Sequence, residues 1–146
     1  MNNMRKIVID EEMTGLDLPG GDRIVEIGAV EMIGGRPTGK TFHSYINPEG
    51  RQMSPSAAAV TGLTDDFLVE QPLFGEIAQD LLEFIGDSKI VVYCRINKSS
   101  CADQNFLNSE LRLAGLSPIP KARWQNMRYW VRDLALPGQG SLNAQL

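Results

Sequence analysis

Residues Lys6–Leu16, KIVIDEEMTGL, decide the fold. Ile7, Val8 and Ile9 form a β-branched run that ends in acids and then breaks at Thr14-Gly15. If that run continues as a strand to Glu12, alternation sends Asp10 and Glu12 to one face and Glu11 to the other. Carboxylates held side by side repel, and burial adds to the cost, so such a pair is tolerated best with a divalent cation between its members. The competing reading is a D-x-E that arises by chance and is solvated at the strand's end.

The chain has 146 residues, 42% hydrophobic and 22% charged, which suits one globular domain over 1–146 with a sizeable core. A net charge of -4, from 18 acids against 14 bases, excludes an indiscriminate nucleic-acid coat. From Glu110 onward the balance reverses: Glu110 and Asp133 face Arg112, Lys121, Arg123, Arg128 and Arg132, a local basic face or a solvated end. Cys94 and Cys101 are too few and too close for a disulfide framework, which points to a reducing, cytoplasmic setting. The N-terminal MNNMRKIVID has too short an apolar stretch for a signal peptide. No segment approaches the roughly 18 consecutive apolar residues of a membrane helix, so a soluble protein with no membrane partner is expected.

Asp17–Asp22 has dense turn chemistry and reads as a loop, followed by a largely buried strand over Arg23–Met32 whose polar exceptions are Glu26 and Glu31. Glu26 reads as a support for the acids or, in preference, as a salt-bridge partner of Arg23 or another neighbour. Gly34–Thr41 matches the G-x-x-x-x-G-K-[ST] phosphate-loop pattern letter by letter. That pattern needs a helix opening at its Lys, whereas Thr41–Asn47 alternates and is rich in strand formers. Gly34–Gly39 is therefore expected to be a hairpin loop, with His43 in a structural role inside a third strand. Ser54-Pro55 predicts a capped helix ended by Gly62, Thr64–Asp66 a helical turn, and Pro72–Ile85 an amphipathic helix stopped by Gly86. Lys89–Tyr93 predicts a buried strand, Ala102–Ala114 a helix with Asp103 in its first turn, and Ala122–Leu136 a last helix, with the start of another at Ser141.

Taken together, Asp10–Leu16, Ile24–Val30 (IVEIGAV), Gly39–Pro48 (GKTFHSYINP), Ala59–Asp65 (AVTGLTD) and Asp103–Leu107 resemble the DEDD superfamily of 3′-5′ exonucleases, of DEDDh type. The likeness is greatest to the epsilon-type proofreading branch that serves bacterial DNA polymerase III, while the spelling E-M-T-G-L is more like oligoribonuclease. The resemblance implies an α/β, ribonuclease H-like mixed sheet flanked by helices. It also implies two Mg2+ or Mn2+ ions that clamp the attacking and leaving oxygens of a phosphodiester. By resemblance Asp10 bridges both ions, Glu12 binds one and orients the water, and Asp103 completes the other shell; these three are the catalytic and metal-binding candidates. Thr14, Gly15, Leu16 and Thr61 are the corresponding candidates for contact with a single-stranded 3′ end. The implied partner is a DNA polymerase subunit.

The chain departs from the pattern in three places. Arg95–Cys101 is longer than the family's run to the third carboxylate, Thr61 stands where relatives carry a histidine, and the closing histidine and fourth aspartate would follow Ser141–Ala144, where the sequence stops. Loss of a general base costs about 10²–10⁴-fold in rate. A C-terminally truncated domain lacking the family's last helix is expected, weak or inactive alone. Apolar sheet surface exposed by that loss predicts self-association into a homodimer. Three functions are compatible with these residues: an exonuclease completed by a partner, a second copy or further sequence; a non-catalytic relative that binds a metal ion, a 3′ end or a partner; and, weakest, a nucleotide hydrolase built on Gly34–Thr41.

Overall fold

The computed structural model describes residues 4–94 and 101–128 and centres on strand β1 (Arg5–Met13). β2 (Ile24–Ile33) pairs antiparallel with β1, and β3 (Arg36–Tyr45) antiparallel with β2. On the other side β4 (Lys89–Val92) runs parallel to β1, and β5 (Trp124–Asn126) parallel to β4, giving the order β3-β2-β1-β4-β5. The helices are α1 (Pro55–Thr61), α2 (Asp65–Leu68), α3 (Phe74–Ile85) and α4 (Ala102–Leu113). The mixed sheet with flanking helices is the architecture expected from the sequence.

The alternation of β1 creates two faces. Ile7, Ile9 and Met13 join the main core, into which α3 sends Phe74, Ala78, Leu81 and Ile85 and α4 sends Phe106, Leu107 and Leu111. Full burial of each large apolar side chain stabilises by about 1.5–3 kcal/mol, enough to fix both helices against the sheet. Val8, on the opposite face, packs in a smaller cluster with Met32, Val91 and Met127.

Polar clasps then set where each helix ends. The Ser54 hydroxyl caps α1 by accepting from Ala57 N at 3.1 Å, and Gly62 closes the helix at φ 74°, a left-handed conformation that favours glycine. Arg5 donates to the carbonyls of Phe84 and Ile85 and pairs with Glu31, holding the C-terminus of α3 to the sheet. The buried Glu110 of α4 accepts from Arg23 Nε and Nη2, the latter at 2.7 Å, and from Ile24 N at 3.0 Å. α4 is thereby fastened to the first residue of β2.

Four expectations are corrected. The hairpin loop is only Gly34-Gly35, because β3 already begins at Arg36; Lys40 lies inside that strand, so the phosphate-loop pattern lacks its helix. In place of the helix expected from Ala122, Lys121–Arg123 is a 3-10 turn followed by β5, and helix begins only at Met127. Trp124, Gln125 and Asn126 pair with Ile90, Val91 and Val92, so the bonding demand of the β4 edge overrides local helix propensity; 129–136 and 141–146 lie outside the described residues. Of the two salt-bridge readings for Glu26, the one with Arg23 falls: Arg23 pairs with Glu110 and Glu49, and Glu26 with another neighbour, His43. Finally, Cys94 and Cys101 form a disulfide, their Cα atoms 5.1 Å apart. The fold brings the end of β4 and the start of α4 together, which the count of cysteines could not reveal.

Removing Glu110 leaves Arg23 with only the more exposed Glu49 and leaves the Ile24 amide without its side-chain acceptor. Glu110→Ala should destabilise the protein by about 2–3 kcal/mol in urea unfolding, below the full cost of a buried pair because Arg23 keeps some access to water. A loss under about 0.5 kcal/mol would show that the clasp does not hold α4.

Candidate functional site

Asp10 and Glu12 emerge on the face of β1 opposite the main core, and Glu11 points into it. A register shift between Glu12 and Met13 ends the regular pairing with β2 just past the acids. Cross-strand from Glu12 lies Glu26, whose carboxylate meets His43 Nε2 at 2.7 Å. Asp103 approaches from the first turn of α4, so acids from three elements meet near the end of β1.

The electrostatics record that crowding. Loss of hydration raises the Asp10 pKa, with a smaller lowering from the Glu11 backbone and a rise from Glu26. Glu12 is raised by loss of hydration and then by Asp10 and Glu26. Burial, followed by Asp10 and Glu12, pushes Asp103 up to about 7. Among the described residues, however, no three His, Cys, Asp or Glu side chains form a group that could hold a metal ion. The donor chemistry fits a hard divalent cation, whose charge would relieve this mutual repulsion; water or substrate oxygens would have to complete its shell.

The candidate substrate residues divide by what their side chains do. Thr14 is fully buried: its hydroxyl donates to Asp22 Oδ1 at 2.7 Å and accepts from Arg23 N at 3.0 Å, which occupies it within the fold. A Cβ at Gly15 would stand 2.5 Å from Asp22 Oδ2, so only glycine lets the turn close over that carboxylate. Thr61 bonds locally, donating to Ala57 O at 2.9 Å and accepting from Leu63 N at 3.1 Å. Glu12, Gly15, Leu16, Ala57, Val60 and Thr61 line a cleft of about 340 Å³ beside the acids, with Leu16 exposed at its rim.

Three features escaped the sequence reading. Asp22 organises the turn: burial would raise its pKa, but bonds from Thr14, Arg51 and the Asp17 amide outweigh that and hold it below the ordinary value. Its place in a Gly-Gly-Asp turn resembled loop chemistry and carried no further signal. Glu26 and His43 were separately visible, and their pairing follows only from the register of β2 with β3. Glu11 was assigned its face but not its depth: it is buried, and neither oxygen has a hydrogen-bond partner. Burial, then Asp103, Asp10 and Glu110, raise its pKa well above 4.5.

In EDTA the protein should therefore lose stability as pH rises past about 4.5, because folding retains a proton that the unfolded chain releases. Glu11→Met removes that contribution and should raise stability at mildly alkaline pH by about 1–3 kcal/mol. Asp10, Glu12 and Asp103, raised in the same sense, keep part of the slope. Indistinguishable pH profiles for the variant and the wild type would refute this account of Glu11.

Comparison with known proteins adds three findings. The Exonuclease family model, of RNase T type, matches residues 7–138. DNA polymerase III subunit epsilon of Rickettsia felis is 48% identical over 113 residues, covering 77% of this chain and 47% of that protein. The subunit of the same name from Escherichia coli is 36% identical over 113 residues, covering 75% and 44%. The chain thus spans under half the length of these curated relatives. Among solved structures, the zinc-bound complex of E. coli Exonuclease I with single-stranded DNA superposes with a TM-score of 0.69 at 15% identity, over 85% of this chain and 27% of that one.

Proposed function

The chain belongs to the DEDD family of 3′-5′ exonucleases, and from that premise we propose that its site binds divalent metal to hydrolyse phosphodiesters at the 3′ end of single-stranded DNA. One observation carries the proposal: Asp10 and Glu12 share one face of β1, and burial followed by these two acids pushes Asp103 up to about 7. An acidic site of this kind suits Mg2+ or Mn2+, which supplies Lewis-acid stabilisation of the developing phosphate charge and activates water. Asp10 and Glu12 would hold the ion from one strand face, with Asp103 of α4 the candidate for a further ligand. The cleft formed by Gly15, Leu16, Ala57, Val60 and Thr61 receives the terminal nucleotide, with the exposed Leu16 against the base and the Gly15 backbone close to the sugar.

The single histidine, His43, is engaged by Glu26 at 2.7 Å. The names of the relatives make a DNA polymerase III assembly the proposed partner and the cytoplasm the proposed setting. No described helix is long and apolar enough to cross a membrane.

End-labelled single-stranded DNA and short RNA in Mn2+ test the proposal. The expected outcome is stepwise shortening of DNA from its 3′ end, reduced at least about 100-fold in Asp10→Ala. Measurable Mn2+ binding without shortening would instead favour a non-catalytic binding module. Neither binding nor shortening would end the metal reading.

A further inference from the structure

We propose that Cys94 and Cys101 form a thiol–disulfide switch that governs the position of Asp103, a candidate metal ligand; this rests on the metal-site reading above. The two sulfurs are bonded in the structure, joining the residue just past β4 to the N-cap of α4. Asp103 lies two residues beyond Cys101, in the first turn of that helix. The N-cap has no side-chain hydrogen bond of its own, so the disulfide takes the place of a cap in securing this turn. β4 in turn pairs with β1, Ile7 against Ile90 and Val8 against Val91. A short covalent path therefore runs from the strand carrying Asp10 and Glu12 to the helix carrying Asp103.

Helix ends open most readily, and the disulfide closes that end of α4, where Asp103 stands. Further along, Glu110, Phe106 and Leu107 keep the rest of α4 in place, so reduction loosens the turn without releasing the helix. The reduced state has its own contact, since the Cys101 sulfur lies 3.4 Å from Tyr93 O and a thiol there donates to that carbonyl.

The chemistry is disulfide exchange with a small disulfide such as oxidised glutathione. The thiolate of Cys94, the less buried of the pair, displaces one small thiol to give a mixed disulfide. Cys101 then displaces the second, leaving the protein disulfide. The cysteines lose two electrons and two protons in total, and two small thiols carry them away. Such a bond in a cytoplasmic protein is a reversible sensor and not a permanent staple.

The test uses the full chain in two states, oxidised with oxidised glutathione and reduced with a phosphine, alongside a Cys94→Ser/Cys101→Ser double variant. Alkylation and mass spectrometry should count no free thiols in the first state and two in the second. Mn2+ affinity, read by calorimetry, should fall about tenfold on reduction, the size typical of losing a group that positions a metal ligand. Amide exchange over residues 102–106 should quicken at the same time. The double variant should behave as the reduced form under both conditions. Equal Mn2+ affinity in the two states, or no disulfide formed with oxidised glutathione, overturns the switch alone. Mn2+ binding in neither state overturns the metal reading and the switch with it.

Discussion

Like charges crowd the end of β1, and the rest of the fold has to hold them there. Asp10 and Glu12 share one face of the strand, Glu11 lies beneath them in the core, and Asp103 arrives from α4. Left to themselves these groups would separate or take up protons, and their raised pKa values show the second response. The first is prevented by attachments at some distance from the acids: Arg23 to Glu110, Asn108 to Ile119, and the bond between Cys94 and Cys101. The first of these fixes α4 to β2, the second fixes the chain that follows the helix to it, and the third ties its N-terminus to the residue just past β4.

A second layer of order lies behind the cleft. Asp22 gathers Thr14, Arg51 and the Asp17 amide, and the chain turns tightly enough around it that Gly15 admits no side chain. The backbone after Thr14 is thereby presented toward the cleft, while Ser54 N bonds Thr14 O at 2.8 Å and ties the start of α1 to the same turn. Residues that look like substrate contacts in sequence thus act first as supports. The threonine hydroxyl shapes the wall, and the groups left to meet a ligand are Leu16, the Gly15 backbone and the small residues of α1.

Much of this was legible in the chain. Alternation in Ile7–Glu12 and the β-branched run after Arg23 gave the two central strands, and helical spacing from Phe74 to Ile85 gave α3. These elements are long enough for their own pattern to outweigh context. Trp124–Asn126 was misread because three residues carry no period, and their conformation is set by the free edge of β4. The pairing of His43 with Glu26, like that of Cys94 with Cys101, depends on register and chain path, which spacing alone does not encode. The depth of Glu11 was invisible for a related reason: periodicity tells which way a side chain points but not what covers it.

The outer strand β3 has a further consequence. Its exposed stretch Arg36–Thr41 borders the sheet, where unpaired peptide groups invite a neighbouring strand to add on. Pro37 removes one donor from that border, Arg36 and Lys40 add positive charge, and a shift in register between Val30 and Met32 bends the pairing with β2. These features blunt stacking of one molecule's edge on another's. The outer margin of the sheet thus carries its own opposition to edge-to-edge addition.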